Sequence, residues 1–165
     1  MWAEKREDLT TAVEQKLWSA DAKAYLDYDF IGKKFTGVLT PASFMPLYSG
    51  FASKDNAKYM ARHAADKNGF YPGMPTIAYG DPRFSDNYMR GPCWLHVAAF
   101  ALQGLRRYGY IKTAEEIRQT ILRWTYNGGY PFEYYDAKTG YPGKGAAARF
   151  SWSAAFIIEL LLDWQ

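Results

Sequence analysis

The chain is poor in the side chains that build metal and redox sites. Cys93 is its single cysteine, which excludes an internal disulfide and a cysteine-based zinc centre. His63 and His96 are the only histidines, too few for a histidine cluster, so neither a metal nor a cofactor is implied. Charge of one sign is equally scarce: 20 basic and 17 acidic residues are interspersed to a net +3, with no block that would grip nucleic acid or an anionic membrane. No apolar run approaches the roughly 20 residues of a membrane span. The opening residues Met1 to Asp8 lack the pattern of a signal peptide, so the expectation is a soluble chain with no membrane partner. Its 165 residues suit one domain, 1–165, with a real core.

What the chain has in excess is aromatic rings. Fourteen Tyr, 10 Phe and 6 Trp make up 18% of it. Phe70, Tyr71, Tyr79, Tyr88, Tyr134 and Tyr135 fall in turn-rich stretches, where binding residues concentrate, so these rings are either core filling or functional surface.

The periodicities predict six helices. Residues 2 to 18 carry Leu9, Val13 and Leu17 on one stripe. The alternation from Ala24 to Phe35 around Gly32 predicts two short strands and a turn. Thr40 and Pro41 are placed to start a short helix over 42–48 that Gly50 closes, and Ser53 is placed to cap a third helix reaching about Asp66. Residues 67 to 92 hold Pro72, Pro75, Pro82 and Pro92, which marks an irregular and therefore functionally interesting segment. Trp94, Val97, Ala98, Ala101, Leu102 and Leu105 then set out a fourth helix that ends at Arg106, Arg107 and Gly109. Thr113 and Glu116 read as a capping box for a fifth, with Ile117, Ile121 and Trp124 on one face as far as Gly128. The sixth, Phe150 to Trp164, is apolar on nearly all sides apart from Glu159, so it must be covered on several faces by other helices or by another chain. With no strand and helix alternation, the fold class is all-α, built of helical hairpins with short β excursions.

The stretch Tyr130-Pro131-Phe132-Glu133-Tyr134-Tyr135-Asp136 sets one carboxylate among rings. Read as a strand, it puts Phe132 and Tyr134 on one face and Glu133 with Tyr135 on the other. Rings cover the apolar faces of a pyranose while a carboxylate handles hydroxyls or a water, so Glu133 is either a sugar-site acid or a solvated edge-strand glutamate.

Tyr88-Met89-Arg90-Gly91-Pro92-Cys93-Trp94, followed by Gly104 to Tyr110, resembles the (α/α)6-barrel glycoside hydrolases, closest to family 63 with its processing α-glucosidases and next to the trehalases. Glu133-Tyr134-Tyr135-Asp136 with Thr139-Gly140, and Phe150 to Ala155, agree in order, as do Phe44 to Tyr48 and Met74-Pro75-Thr76 with Asp81-Pro82. The resemblance implies the C-terminal half of a twelve-helix barrel and inverting hydrolysis of an α-linked saccharide. Glu133 would be the general base, and Tyr88, Arg90, Gly91, Trp94, Tyr135 and Trp152 would bind substrate. It also implies a partner for the open barrel, either a second copy or an N-terminal half-barrel chain. The chain departs from the family at Met89, where the family has Trp, and at His96 and Ala98, where it has asparagines. Asp81, Asp86 and Asp136 are present, but none matches the motif of the general acid.

Other readings of the same residues stay open. Arg90 either binds sugar or pairs with Asp81 or Asp86. Trp94 is a sugar contact or core, and Trp152 a stacking platform or the cover of a hairpin. Gly91 and Pro92 set a turn, His96 is a surface or interface residue, and Cys93 is a small packed residue. At the level of the chain, the alternative to a hydrolase is a non-catalytic carbohydrate-binding or interaction module.

Overall fold

A computed structural model describes residues 1–162 and 164, with six α-helices among them. The centre is α4, Leu95–Arg107, which buries Leu95, Ala98, Ala99, Ala101, Leu102 and Leu105. Burial of each of these leucines stabilises the fold by about 1.5–3 kcal/mol. Against α4 pack α2 (Met45–Ser49), α5 (Ile111–Gly128) and α6 (Ser151–Leu162). Gly104 lets α2 come close, since a Cβ there would stand 2.8 Å from the Tyr48 backbone nitrogen.

The second helix is shorter than its sequence pattern suggests. Pro41–Phe44 forms a 3-10 turn before α2, and Gly50, at φ 72°, closes α2 as expected. Pro46 explains the break, because it has no N–H to give to the carbonyl of Ala42. Helix α3, Lys54–Ala65, starts as expected with the Ser53 hydroxyl accepting from the Asn56 amide at 3.1 Å.

Three expectations are corrected. The stretch 24–35 does not form one hairpin: β2 (Ala24–Tyr25) pairs back onto β1 (Trp18–Ser19), while β3 (Tyr28–Asp29) pairs with β4 (Lys34–Phe35). Helix α5 does not start at a Thr113 box. Gly109 at φ 85° turns the chain so that the Tyr110 amide reaches the Leu105 carbonyl, and α5 opens directly at Ile111. In α1, Trp2–Leu17, Leu9 is 54% exposed and the helix has no buried residue. Val13 and Leu17 of the expected stripe are half-buried against the core, and Glu14 adds a polar tie, its carboxylate accepting from the Tyr25 hydroxyl at 2.6 Å, the Ser53 amide at 2.7 Å and Asn56 Nδ2 at 2.7 Å.

Helix α6 lies on α4 and α5 and buries only Ser153 and Leu160, leaving Ile158, Leu161 and Leu162 open. The part of the expected sixth helix that falls on Asp163 lies outside the described residues. No helix among those residues is long and apolar enough to cross a membrane.

Candidate sugar-binding and catalytic site

Glu133 is held by three strands of backbone that come from distant parts of the sequence. On one side Cys93 and Tyr135 exchange backbone hydrogen bonds at 2.7 and 3.0 Å; on the other, the Glu133 amide donates to the Ala147 carbonyl at 2.9 Å. Phe150 donates to Pro131 at 2.8 Å, and the Ser153 hydroxyl donates to the Glu133 carbonyl at 3.3 Å, which ties the first turn of α6 to the segment. The backbone around Glu133 is therefore fixed from both sides even though only single bridges, and no continuous strand, form over 130–136.

The Glu133 side chain is half-buried. The Tyr88 hydroxyl donates to its Oε1 at 3.4 Å and the Ala147 amide to its Oε2 at 3.4 Å. Both contacts are long, and among the described residues no cation lies within ion-pair distance of the carboxylate. A carboxylate held this loosely, with no bound counter-ion, keeps acceptor capacity for a water or a sugar hydroxyl.

The rings around it divide. Tyr134 stacks on Trp94 at 5.1 Å and 21°, and Tyr88 meets both edge-on at 5.5 and 5.0 Å. His96 stacks on Trp152 at 4.3 Å and 18° and touches the edge of Trp94, so the wall of rings continues along α4 to α6. Burial, the Glu133 charge and Tyr88 all push the Tyr134 phenol upward, and burial pushes the His96 imidazole downward, toward the neutral ring.

The residues expected at a substrate site separate into two groups. Tyr88 and Trp152 are each half exposed, and Arg90 is exposed, so all three have surface open to a ligand, and Tyr88 reaches Glu133 itself. Tyr135 does not share the face of Glu133, as simple alternation requires. It is wholly buried, its hydroxyl accepts from the Phe132 amide at 3.1 Å, and its phenol is pushed upward by burial. Trp94 is 4% exposed and faces protein on all the sides described. Gly91 is buried, with its amide on Thr76 Oγ1 at 3.0 Å, and a Cβ there would stand 2.2 Å from the Ser85 carbonyl oxygen, so it serves the turn. The ring that alternation missed is Tyr134; its sign in the sequence was only its place next to Glu133.

Two of the three aspartates have other work. Asp81 pairs with Arg83 at 2.7 Å rather than with Arg90, and the Arg83 hydrogen bonds hold its carboxyl below the usual range. Asp136 Oδ1 accepts from the amides of Lys138 and Thr139 at 2.8 Å each, which fixes the turn before Gly140. Cys93 is a packed thiol whose pKa burial pushes up to about 12, far from a thiolate nucleophile. No group of three or more His, Cys, Asp and Glu side chains able to hold a metal occurs among the described residues.

The family profile described as "Mannosylglycerate hydrolase MGH1-like glycoside hydrolase domain" matches residues 1–153. The mannosylglycerate hydrolase of Rubrobacter radiotolerans is 32% identical over 158 residues, covering 92% of this chain and 35% of that protein. The crystal structure of the GH63 mannosylglycerate hydrolase from Thermus thermophilus in complex with glucose superposes with a TM-score of 0.81 at 28% identity, over 93% of this chain and 36% of that one. Neutral trehalase from Saccharomyces cerevisiae shares the fold, with a TM-score of 0.74 at 22% identity over 100% of this chain and 30% of its own. The solved neighbours are (α/α)6-barrel glycosidases, and the chain spans about a third of the length of the relatives it matches.

Proposed function

The chain belongs to the family of mannosylglycerate hydrolase MGH1-like glycoside hydrolase domains, and from that premise we propose that Glu133 is the general base in the inverting hydrolysis of an α-linked glycosylglycerate. The observation that carries this reading is the Glu133 carboxylate itself, half-buried, without a cation partner among the described residues and bordered by the Tyr88 and Tyr134 rings. In the reaction, Glu133 takes a proton from a water that attacks the anomeric carbon on the face opposite the leaving group. The glycosidic oxygen leaves with a proton from a second carboxyl, some 6.5–9.5 Å from the first in roughly every enzyme of this stereochemistry. Tyr88, Arg90 and Trp152 hold the sugar, Trp152 as a stacking platform backed by His96. A glycosylglycerate is favoured over a plain α-glucoside because relatives are mannosylglycerate hydrolases and one is a glucosylglycerate hydrolase.

Asp81 and Asp136 are tied to Arg83 and to a turn, and Asp86, like them, does not match the general acid's motif, so under this reading the proton donor comes from outside these residues. The exposed α6 residues Ile158, Leu161 and Leu162, with the groove of about 1050 Å³ between α5 and α6, then take the remaining helices of the barrel, in keeping with the greater length of the relatives. The test is hydrolysis of mannosylglycerate and glucosylglycerate by the 165 residues alone and with an N-terminal half-barrel chain added. Turnover is expected only in the mixture, and Glu133→Gln is expected to lower it about 10²–10⁴-fold while leaving sugar affinity in place. Turnover that survives Glu133→Gln would sink the assignment, and gel filtration showing the half-barrels apart, or the chain paired with itself, would sink the barrel partner. The same tied aspartates favour a second reading, a carbohydrate-binding module without catalysis. It wins if the mixture binds the sugar and hydrolyses nothing.

A further inference from the structure

We propose that Trp94 is a positioning residue that sets the Glu133 carboxylate through Tyr88, a role that rests on Glu133 being the base. Trp94 has no free face for a sugar: it is 4% exposed, stacked on Tyr134, and met edge-on by Tyr88 and His96. Its one polar group is already committed, since the indole N–H donates to the Tyr88 carbonyl at 2.9 Å. That bond falls on an unusual residue. Tyr88 has φ 40°, in the left-handed region that is strained for a non-glycine residue, so surrounding contacts must hold it there.

The short loop that carries Tyr88 is closed on itself, with the Ser85 amide on the Arg90 carbonyl and the Arg90 amide on the Asn87 carbonyl, both at 2.8 Å. Gly91 fixes its base through the bond to Thr76, and Trp94 fixes its tip. So held, the half-exposed phenol of Tyr88 reaches Oε1 of Glu133 at 3.4 Å. The chain of contacts runs from an indole N–H to a strained backbone, to a phenol, to one oxygen of the carboxylate. Because that last contact is long, a small shift of Tyr88 makes or breaks it, and the orientation of the base follows.

The experiment uses the 165-residue chain with ¹³C-labelled glutamate carboxyls, the Glu133 signal being assigned by its loss in Glu133→Gln. The groups facing this carboxylate are the phenols of Tyr88 and Tyr134 and the Ala147 amide; no Lys, Arg or His among the described residues lies within ion-pair distance. The Tyr88 phenol donates to Oε1, so Tyr88→Phe is expected to shift the Glu133 carboxyl resonance at a fixed neutral pH. Trp94→Phe is expected to shift it in the same direction, and the double variant no further than Tyr88→Phe alone. Replacing Trp94 by 3-benzothienylalanine, which keeps the bicyclic ring without the N–H, gives the same shift and decides the matter if Trp94→Phe does not fold. An unmoved resonance in the isostere, an unmoved resonance in Tyr88→Phe, or effects that add in the double variant would overturn the proposal. In the hydrolysis assay with the half-barrel added, Trp94→Phe lowers kcat about tenfold and raises KM by less, because Tyr88 both orients the base and meets the sugar. Failure of the base assignment shows separately, as turnover retained by Glu133→Gln, and leaves the carboxyl resonance to judge the link from Trp94 to Tyr88.

Discussion

Helices α1 and α6 both turn most of their surface to the outside, and they do so with opposite chemistry. On α1 the outward positions are mainly Glu, Lys, Arg, Asp, Thr and Gln, and its sixteen residues are held by the half-buried Val13 and Leu17 and by a polar anchor at Glu14. On α6 they are Ile158, Leu161 and Leu162, and Leu160 is the only apolar side chain it fully buries. Water already solvates the first helix well. The second leaves hydrocarbon exposed that a single isolated face would not normally carry, which is the physical ground for placing the barrel partner there.

Mutations at the two anchors sharpen the contrast. Leu160→Ala removes the packed foot of α6 and is expected to cost about 2–5 kcal/mol, read as a lower denaturant midpoint with an unchanged slope. Glu14→Ala comes next, at about 2–3 kcal/mol, because the Ser53 amide, the Asn56 side chain and the Tyr25 hydroxyl lose their acceptor together. If Glu14→Ala proves the more damaging of the two, α1 is integral to the fold and the comparison is the wrong way round. The smallest effect belongs to the Asp81–Arg83 pair, whose arginine half is exposed and solvent-screened. The folded Asp81 carboxyl titrates below the ordinary value, first through its side-chain hydrogen bond with Arg83, so its contribution is complete above about pH 3.9 and fades as pH falls through the folded value. Thermal unfolding of wild type and Asp81→Asn should therefore converge on acidification, with only a slight gap near neutrality. A gap that widens toward low pH would contradict the sign.

Much of the architecture was legible locally. The stripe through Ala98, Leu102 and Leu105, the Ser53 cap and the Gly50 stop each rest on interactions within a few residues, and α4, α3 and α2 formed accordingly. Thr113 and Glu116 had the right residues for a cap, yet Gly109 and Tyr110 started the helix earlier by reaching back to Leu105. The site was legible as a motif around Glu133 but not as a geometry. Tyr135 went into the core because its backbone pairs with Cys93, far away in the sequence, and that pairing outweighs the alternation of its own short segment.

The sequence by itself determined which stretches are helical and which carboxylate stands among rings, since spacing, caps and breakers act within a turn or two of chain. Tertiary structure alone decided which rings meet that carboxylate. Trp94, Tyr88 and Tyr134 come together through contacts between segments that no local pattern links, and in a closely packed interior it is those neighbours that choose the direction of each side chain.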